Sequence, residues 1–418
     1  MADFEHGKAV LVAIAESTRD VEECNISLDE LERLLNTAGG ECFAKVIQVK
    51  ESFGPRTCIG KGKVAEIRDL CHDNEIGLVV FDFELTPAQI RNLENDIENV
   101  TVIDRSMLIL DIFALHAVSA EGKVQVELAQ LKYTAPRLMG KGTELSRQGG
   151  GIGSRGPGES KLETDRRHLH ERVVSLEAKL RELEENRAVM RSARDRSGIS
   201  KIALVGYTNA GKSTLLNRLT GAEVLCEDKL FATLDPTTRK MVMPSGKSVL
   251  FTDTVGFIRK LPHHLVKAFK STLDEVRFCD ILLVVSDAKD PEVSAHLKVT
   301  EEIINELGAS DKPIIYVYNK CDGLDVVSYG VQNENTVAVS AKLGEGVDEL
   351  LLMLDELINK SSKRVRLVIP YTEQGALNQL YKSYTVEECD YTDEGIVVVT
   401  VLDSRGQGQY NKYITGEV

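Results

Sequence analysis

One stretch of eight residues constrains this chain more than anything else in it. Gly206-Tyr207-Thr208-Asn209-Ala210-Gly211-Lys212-Ser213 has the spacing GxxxxGK[ST]. It follows an apolar run at 201–205 that reads as a strand, and it opens a helical pattern at 213–219. A glycine-rich turn between strand and helix aims backbone N–H groups inward. The helix N-terminus adds its positive dipole end, so the turn becomes a cradle for phosphate oxygens. Lys212 is then placed to neutralise β- and γ-phosphates, and Ser213 to ligate Mg2+. A strand–loop–helix unit needs a parallel sheet to bury its strand, so the expected fold class is α/β.

Other short motifs follow in a fixed order. Asp253-Thr254-Val255-Gly256 stands after an apolar strand, about 40 residues beyond the P-loop. An Asp there holds Mg2+ through a water, and the Gly256 N–H reports the γ-phosphate. Asn319-Lys320-Cys321-Asp322 is an NKxD after the strand at 313–318. A carboxylate accepts from both N1–H and the 2-amino group of guanine, and adenine lacks that donor pair. Buried hydrogen bonds that the wrong base leaves unmade then select GTP over ATP. Ser340-Ala341-Lys342, after the next strand, is expected to back the base with a main-chain N–H.

Between P-loop and DTVG lies a polar stretch opening with Phe231-Ala232-Thr233-Leu234-Asp235. One threonine here should complete the Mg2+ shell only when a γ-phosphate is present, an order–disorder switch. Composition does not choose among Thr233, Thr237 and Thr238. The residue after DTVG is Phe257, where Ras-like enzymes place a water-orienting Gln. Intrinsic hydrolysis should therefore be slow unless a partner completes the site; the plain alternative is that Phe257 only packs.

The chain has 418 residues, 42% hydrophobic and 28% charged, which excludes wholesale disorder. Four parts are expected: an N-terminal parallel α/β domain at 1–121, a helical arm with a Gly-rich loop at 122–197, a G domain at 198–360 and a small α+β domain at 361–418. In the arm, Leu162, Leu169, Val173, Leu176, Leu180, Leu183 and Met190 fall on heptad positions, as in one arm of a coiled-coil-like hairpin. No apolar run spans a bilayer, which leaves at most a peripheral membrane association. The first residues carry acids and no basic n-region, and eight scattered cysteines show no ligand-like spacing. A cytoplasmic protein with reduced thiols is expected. Net charge is −14, yet residues 131–200 carry 15 Lys and Arg against 10 Asp and Glu. Indiscriminate coating of nucleic acid is excluded, but a local basic surface is not.

GYTNAGKS at 206–213, FATLDPTTR at 231–239, DTVGFI at 253–258, NKCD at 319–322, SAK at 340–342 and GGGIGSRGPGESKLETDRR at 149–167 together resemble the HflX family of translation-factor-class GTPases. The last motif is specific to that family, and the resemblance covers essentially the whole chain. The resemblance implies GTP hydrolysis with Mg2+ and picks Thr233 for the Mg2+ role beside Ser213 and Asp253, with Lys212, Thr233, Gly256 and Asn209 the expected catalytic residues. It also implies binding to rRNA of the large ribosomal subunit, with splitting or rescue of ribosomes or subunit maturation as the task. Asn209 resembles the asparagine of potassium-activated GTPases, which implies K+ beside the phosphates; alternatively it only stabilises the loop.

Arg155, Lys161, Arg166 and Arg167 are the candidates for RNA contact. The arm's arginines could instead pair with Glu163, Glu171, Glu182, Glu184 and Glu185 on a solvated helix. Residues 59–63, IGKGK, are a weaker candidate that more often just starts a helix. Two other functions stay open: an rRNA- or tRNA-processing or assembly GTPase, and a regulator docking on a protein partner through the arm. A monomer is expected.

Overall fold

A computed structural model of the chain describes residues 7–138, 157–195, 199–221, 230–262, 265, 270–323, 334–360, 363–384, 386–402 and 404–417. The fold is α/β, with three sheets among the described residues and two units by contact. The first unit comprises Met1–Leu183, Glu227–Asp235 and Ile258–Ser271; the remainder forms the second.

In the first unit, β1 (Lys8–Ala15), β2 (Glu41–Val49), β3 (Leu78–Phe81) and β4 (Thr101–Asp104) form a parallel sheet in the order β2-β1-β3-β4. β1 and β3 are nearly all apolar because they are central strands buried on both faces. Helices α1 (Val21–Thr37), α2 (Lys61–Asp73), α3 (Pro87–Ile97) and α4 (Arg105–His116) connect or follow them. α3 starts where Pro87 supplies a helical φ and Thr86 and Gln89 close a capping box. Val10, Val12, Ile67, Val79, Phe81 and Leu93 centre the core.

Next come α5 (Ala120–Leu138) and α6 (Pro157–Asp195). They pack through Val124, Leu128 and Leu176, flanked by Leu131, Val173 and Leu180. Arg172 pairs with Glu127 and Lys132 with Glu177 across the seam. The expected heptad stripe is therefore used at its centre, by α5.

In the second unit, β5 (Ser200–Val205), β6 (Thr237–Val242), β7 (Ser248–Asp253), β8 (Ile281–Asp287), β9 (Ile314–Asn319) and β10 (Thr336–Ala338) form a sheet in the order β10-β9-β8-β5-β7-β6. All its pairings are parallel except β6 with β7. β6 is a strand the sequence did not announce: it lies at an edge, and its residues TTRKMV are half-exposed or exposed. α7 (Lys212–Thr220), α8 (Lys270–Phe278, in this unit from Thr272), α9 (Val293–Glu306) and α10 (Val347–Lys360) are helices of this unit.

The chain ends with β11 (Lys363–Ile369), α11 (Gln374–Ser383), β12 (Val386–Thr392), β13 (Gly395–Leu402), α12 (Ser404–Tyr410) and β14 (Ile414–Glu417). The antiparallel order β12-β13-β11-β14 on a βαββαβ path is the split βαβ topology. α12 and β14 are also unannounced: SRGQGQY has no apolar period, and β14 is four residues long. No helix among the described residues is long and apolar enough to cross a membrane.

Candidate nucleotide-binding site

β5, β7 and β9 run parallel, so their carboxyl ends share one edge of the sheet, where open α/β sheets bind ligands. The P-loop leaves β5, residues 253–256 leave β7, and 319–322 leave β9. Gly206 has φ +146°, and a Cβ there would stand 2.1 Å from the Val285 carbonyl oxygen, so only glycine fits. Asn209 takes φ +60°, a left-handed conformation that Asn tolerates.

Lys212 is buried, and its Nζ donates to the carbonyls of Gly206 (3.1 Å) and Tyr207 (2.9 Å). Burial pulls its pKa down to about 8, against the opposing field of Asp253. Ser213 Oγ donates to Asp253 Oδ2 at 2.6 Å, and Asp253 is fully buried. A hydroxyl and a carboxylate oxygen brought together in this way are hard donors that suit Mg2+. Thr208 N donates to the Phe257 carbonyl at 2.7 Å and Phe257 N to the Gly206 carbonyl at 3.0 Å. A Cβ on Gly256 would lie 2.6 Å from Thr208 Cα. P-loop and DTVG are thus zipped together by backbone. The Phe257 ring is buried.

At the other end, Asn319 ties two loops together. Its Nδ2 donates to the Ala210 carbonyl (2.9 Å), and its Oδ1 accepts from Ala341 N (3.0 Å). Lys320 pairs with Asp287 at 2.7 Å. Asp322 Oδ2 pairs with Lys289 Nζ at 2.6 Å, and that ammonium holds the carboxyl below its ordinary range. Cys321 N donates to the Val339 carbonyl (3.1 Å). Ser340 N donates to the Glu345 carbonyl (2.9 Å), while Arg218 donates to the carbonyls of Ala341 (3.0 Å) and Lys342.

Sequence reasoning missed three of these neighbours. Lys289 and Asp287 sit in the SDAKD that ends β8, and His296 stacks on Tyr207 with ring centroids 3.6 Å apart. Asp290 lies 3.2 Å from the His296 Nδ1. An acid–base pair at the end of a strand neighbouring the P-loop strand was the available signal.

The structure brings together the predicted residues of 206–213, 253–256, 319–322 and 340–342. Phe231, Ala232, Thr233, Leu234 and Asp235 belong instead to the first unit. On α6, Arg166 and Arg167 are exposed, Arg167 lying 3.9 Å from Glu171. Arg155 lies outside the described residues, as does the side chain of Lys161. Residues 59–63 start a helix: Gly60 caps α2, and its N–H donates to Gln48 Oε1 at 2.8 Å.

Residues 25–114 match the family described as GTP-binding GTPase N-terminal, 116–194 its middle region, and 201–320 the 50S ribosome-binding GTPase family. The chain is 49% identical over 399 residues to GTPase HflX of Lacrimispora saccharolytica, covering 95% of this chain and 94% of that one. It is 40% identical over 400 residues to GTPase HflX of Escherichia coli, covering 94% and 93%. The chain belongs to the HflX family of GTPases. As an HflX GTPase it binds GTP and GDP and hydrolyses GTP. A solved structure described as the complex of SsGBP with GDP is similar over 84% of this chain and 98% of that chain, at 26% identity and TM-score 0.48.

Proposed function

We propose that this GTPase uses its nucleotide state to control binding to the large ribosomal subunit. The observation that carries this is the match of 201–320 to the 50S ribosome-binding GTPase family. The exposed Arg166 and Arg167 on α6 support rRNA as the surface met there. Splitting or rescue of ribosomes, or subunit maturation, is the task. The protein acts as a cytoplasmic monomer with parts at 1–121, 122–197, 198–360 and 361–418.

The chemistry follows from the chain's own groups. P-loop N–H groups and the Lys212 ammonium hold the β- and γ-phosphates, and the Gly256 N–H touches the γ-phosphate. Asp322 reads guanine, with the Lys342 N–H backing the base. Ser213, Thr233 and Asp253, the last through a water, would hold Mg2+. That cation supplies neutralising charge to the phosphate oxygens as negative charge develops. Asn209 would hold K+ on the same side.

The experiment is sedimentation of the full chain with large subunits in sucrose gradients. Comigration with a non-hydrolysable GTP analogue, and release with GDP, is expected. Cosedimentation that ignores the nucleotide, or binding to free rRNA alone, rejects the proposal.

A further inference from the structure

Residues 230–235 belong to the first unit, and one acid among them, Asp235, reaches the start of α5. The first turn of α5 carries an incomplete capping box. Ser119 is its N-cap, and Ser119 Oγ accepts from Gly122 N at 2.8 Å. In a complete box the third helical residue is Glu or Gln, whose side chain returns to the N-cap N–H. Here that residue is Gly122, which has no side chain to return.

Asp235 takes its place from 116 positions away. Its carboxylate accepts from Ser119 N (2.7 Å), Val118 N (3.0 Å) and Ser119 Oγ (2.5 Å). A Cβ on residue 122 would stand 2.5 Å from Asp235 Oδ1, so the glycine makes the room the foreign acid occupies. Neighbours hold the same segment. Phe231 is buried edge-on against Phe113 of α4, centroids 4.8 Å apart, Leu234 is buried, and Leu230 N donates to Thr37 Oγ1 at 3.3 Å.

We propose that Asp235 is a positioning residue that completes the α5 capping box in trans, so that the nucleotide state sensed by the segment around Thr233 sets the stability of the first turn of α5. The inference rests on the reading of Thr233 as the nucleotide-sensing threonine. α5 is the helix on which α6 packs, so the cap links that segment to the helical pair. An N-cap interaction of this kind changes local stability by about fivefold in equilibrium constant.

The test is amide hydrogen exchange on the full-length protein, with GDP and with a non-hydrolysable GTP analogue plus Mg2+, without ribosomes. In wild type, residues 118–124 should differ in protection between the two states by about fivefold. Gly122→Ala puts a Cβ against the Asp235 seat without touching a nucleotide residue. It should abolish that difference while leaving GTP affinity within about twofold. Asp235→Ala should leave the turn poorly protected in both states. Adding Gly122→Glu to Asp235→Ala rebuilds the box in cis and should restore protection in both states, with no nucleotide response. Equal protection of 118–124 in both states in wild type overturns the proposal if residues 230–238 still respond to nucleotide. Silence in both segments overturns the reading of Thr233 along with it. A nucleotide response that survives Gly122→Ala also overturns the proposal. Ribosome binding enters none of these outcomes, so the gradient experiment stands or falls separately.

Discussion

Lys212 in the second unit and Arg105 in the first are both cations buried almost completely, and they are treated oppositely. Among the described residues Lys212 donates to the carbonyls of Gly206 and Tyr207, and burial drops its pKa to about 8. Burial acts on Arg105 too, but Glu30 and Asp82 more than offset it and hold the guanidinium above its ordinary value. Asp82 Oδ1 lies 2.7 Å from Arg105, and Asp82 Oδ2 takes Lys260 at 2.6 Å. A buried cation satisfied by carboxylates is structural. One left on neutral carbonyls is kept for an anion that comes and goes.

The same substitution should separate them by sign. Arg105→Met leaves the buried Asp82 with Lys260 as its ion-pair partner and takes the guanidinium away from the part-buried Glu30. Breaking a buried ion pair from one side costs about 3–5 kcal/mol. Lys212→Met should instead stabilise the nucleotide-free protein at pH 7, by up to about 3 kcal/mol, while weakening GTP binding by at least about a hundredfold. The sign follows from linkage. The folded pKa near 8 lies below the ordinary 10.5, so between those values the unfolded chain binds more protons and wild-type stability rises with pH. The rise is cleanest from pH 8 to 9. Above 9 the thiols of Cys58, Cys71 and Cys279, pushed up by burial to about 11, 11 and 12, act the other way. Denaturant midpoints of the two variants at pH 7 and 9 are the measurement. Shifts of the same sign would end the distinction between the two cations.

The two sites also differ in how far they could be read in advance. P-loop, DTVG and NKCD are each contiguous, because in the proposed site phosphate and base would be bound by backbone atoms and by one or two side chains of a single turn. The central strands of the parallel sheet and of the mostly parallel one were visible as apolar runs for a similar reason: both faces are buried. The Arg105 cluster has no such local trace. Asp82 and Lys260 are 178 positions apart and Arg105 and Glu30 are 75 apart, so only the folded chain unites them. Ser119-x-x-Gly122 did carry a trace, a capping box missing its acid, but nothing local says that Asp235 supplies it. Edge strand β6 and the short β14 escaped because half-exposed strands of few residues lack a pattern.

Within the second unit, a milder change sharpens the contrast between reading an anion and reading a base. On the proposed reading of Asp322 as the base-reading residue, Asp322→Asn would replace one acceptor with a donor facing the guanine 2-amino group, and it removes the Lys289 ion pair. GTP affinity should fall on the order of a hundredfold while xanthosine triphosphate, with a 2-oxo acceptor, gains. Titration of both nucleotides against wild type and variant decides it. Full GTP affinity in the variant would mean that the base is read elsewhere.

The smallest expected effect concerns Asn209, the P-loop residue in a left-handed conformation at φ +60°. That conformation alone would suit Asn or Gly, so a purely conformational role predicts that Asn209→Gly is harmless. A role for the amide oxygen in holding K+ predicts otherwise. The ion would add positive charge beside the β- and γ-phosphates, where charge develops during transfer, and Lys212 alone supplies a side-chain cation from the P-loop. Wild-type turnover should then be about five- to tenfold faster in KCl than in NaCl at matched ionic strength. Asn209→Gly should turn over at the slower rate in both salts, with its GTP affinity little changed, because the glycine keeps the backbone cradle. Equal wild-type rates in the two salts would remove K+ from the mechanism. A potassium preference that persists in Asn209→Gly would move the ion to other ligands and leave Asn209 as a loop residue.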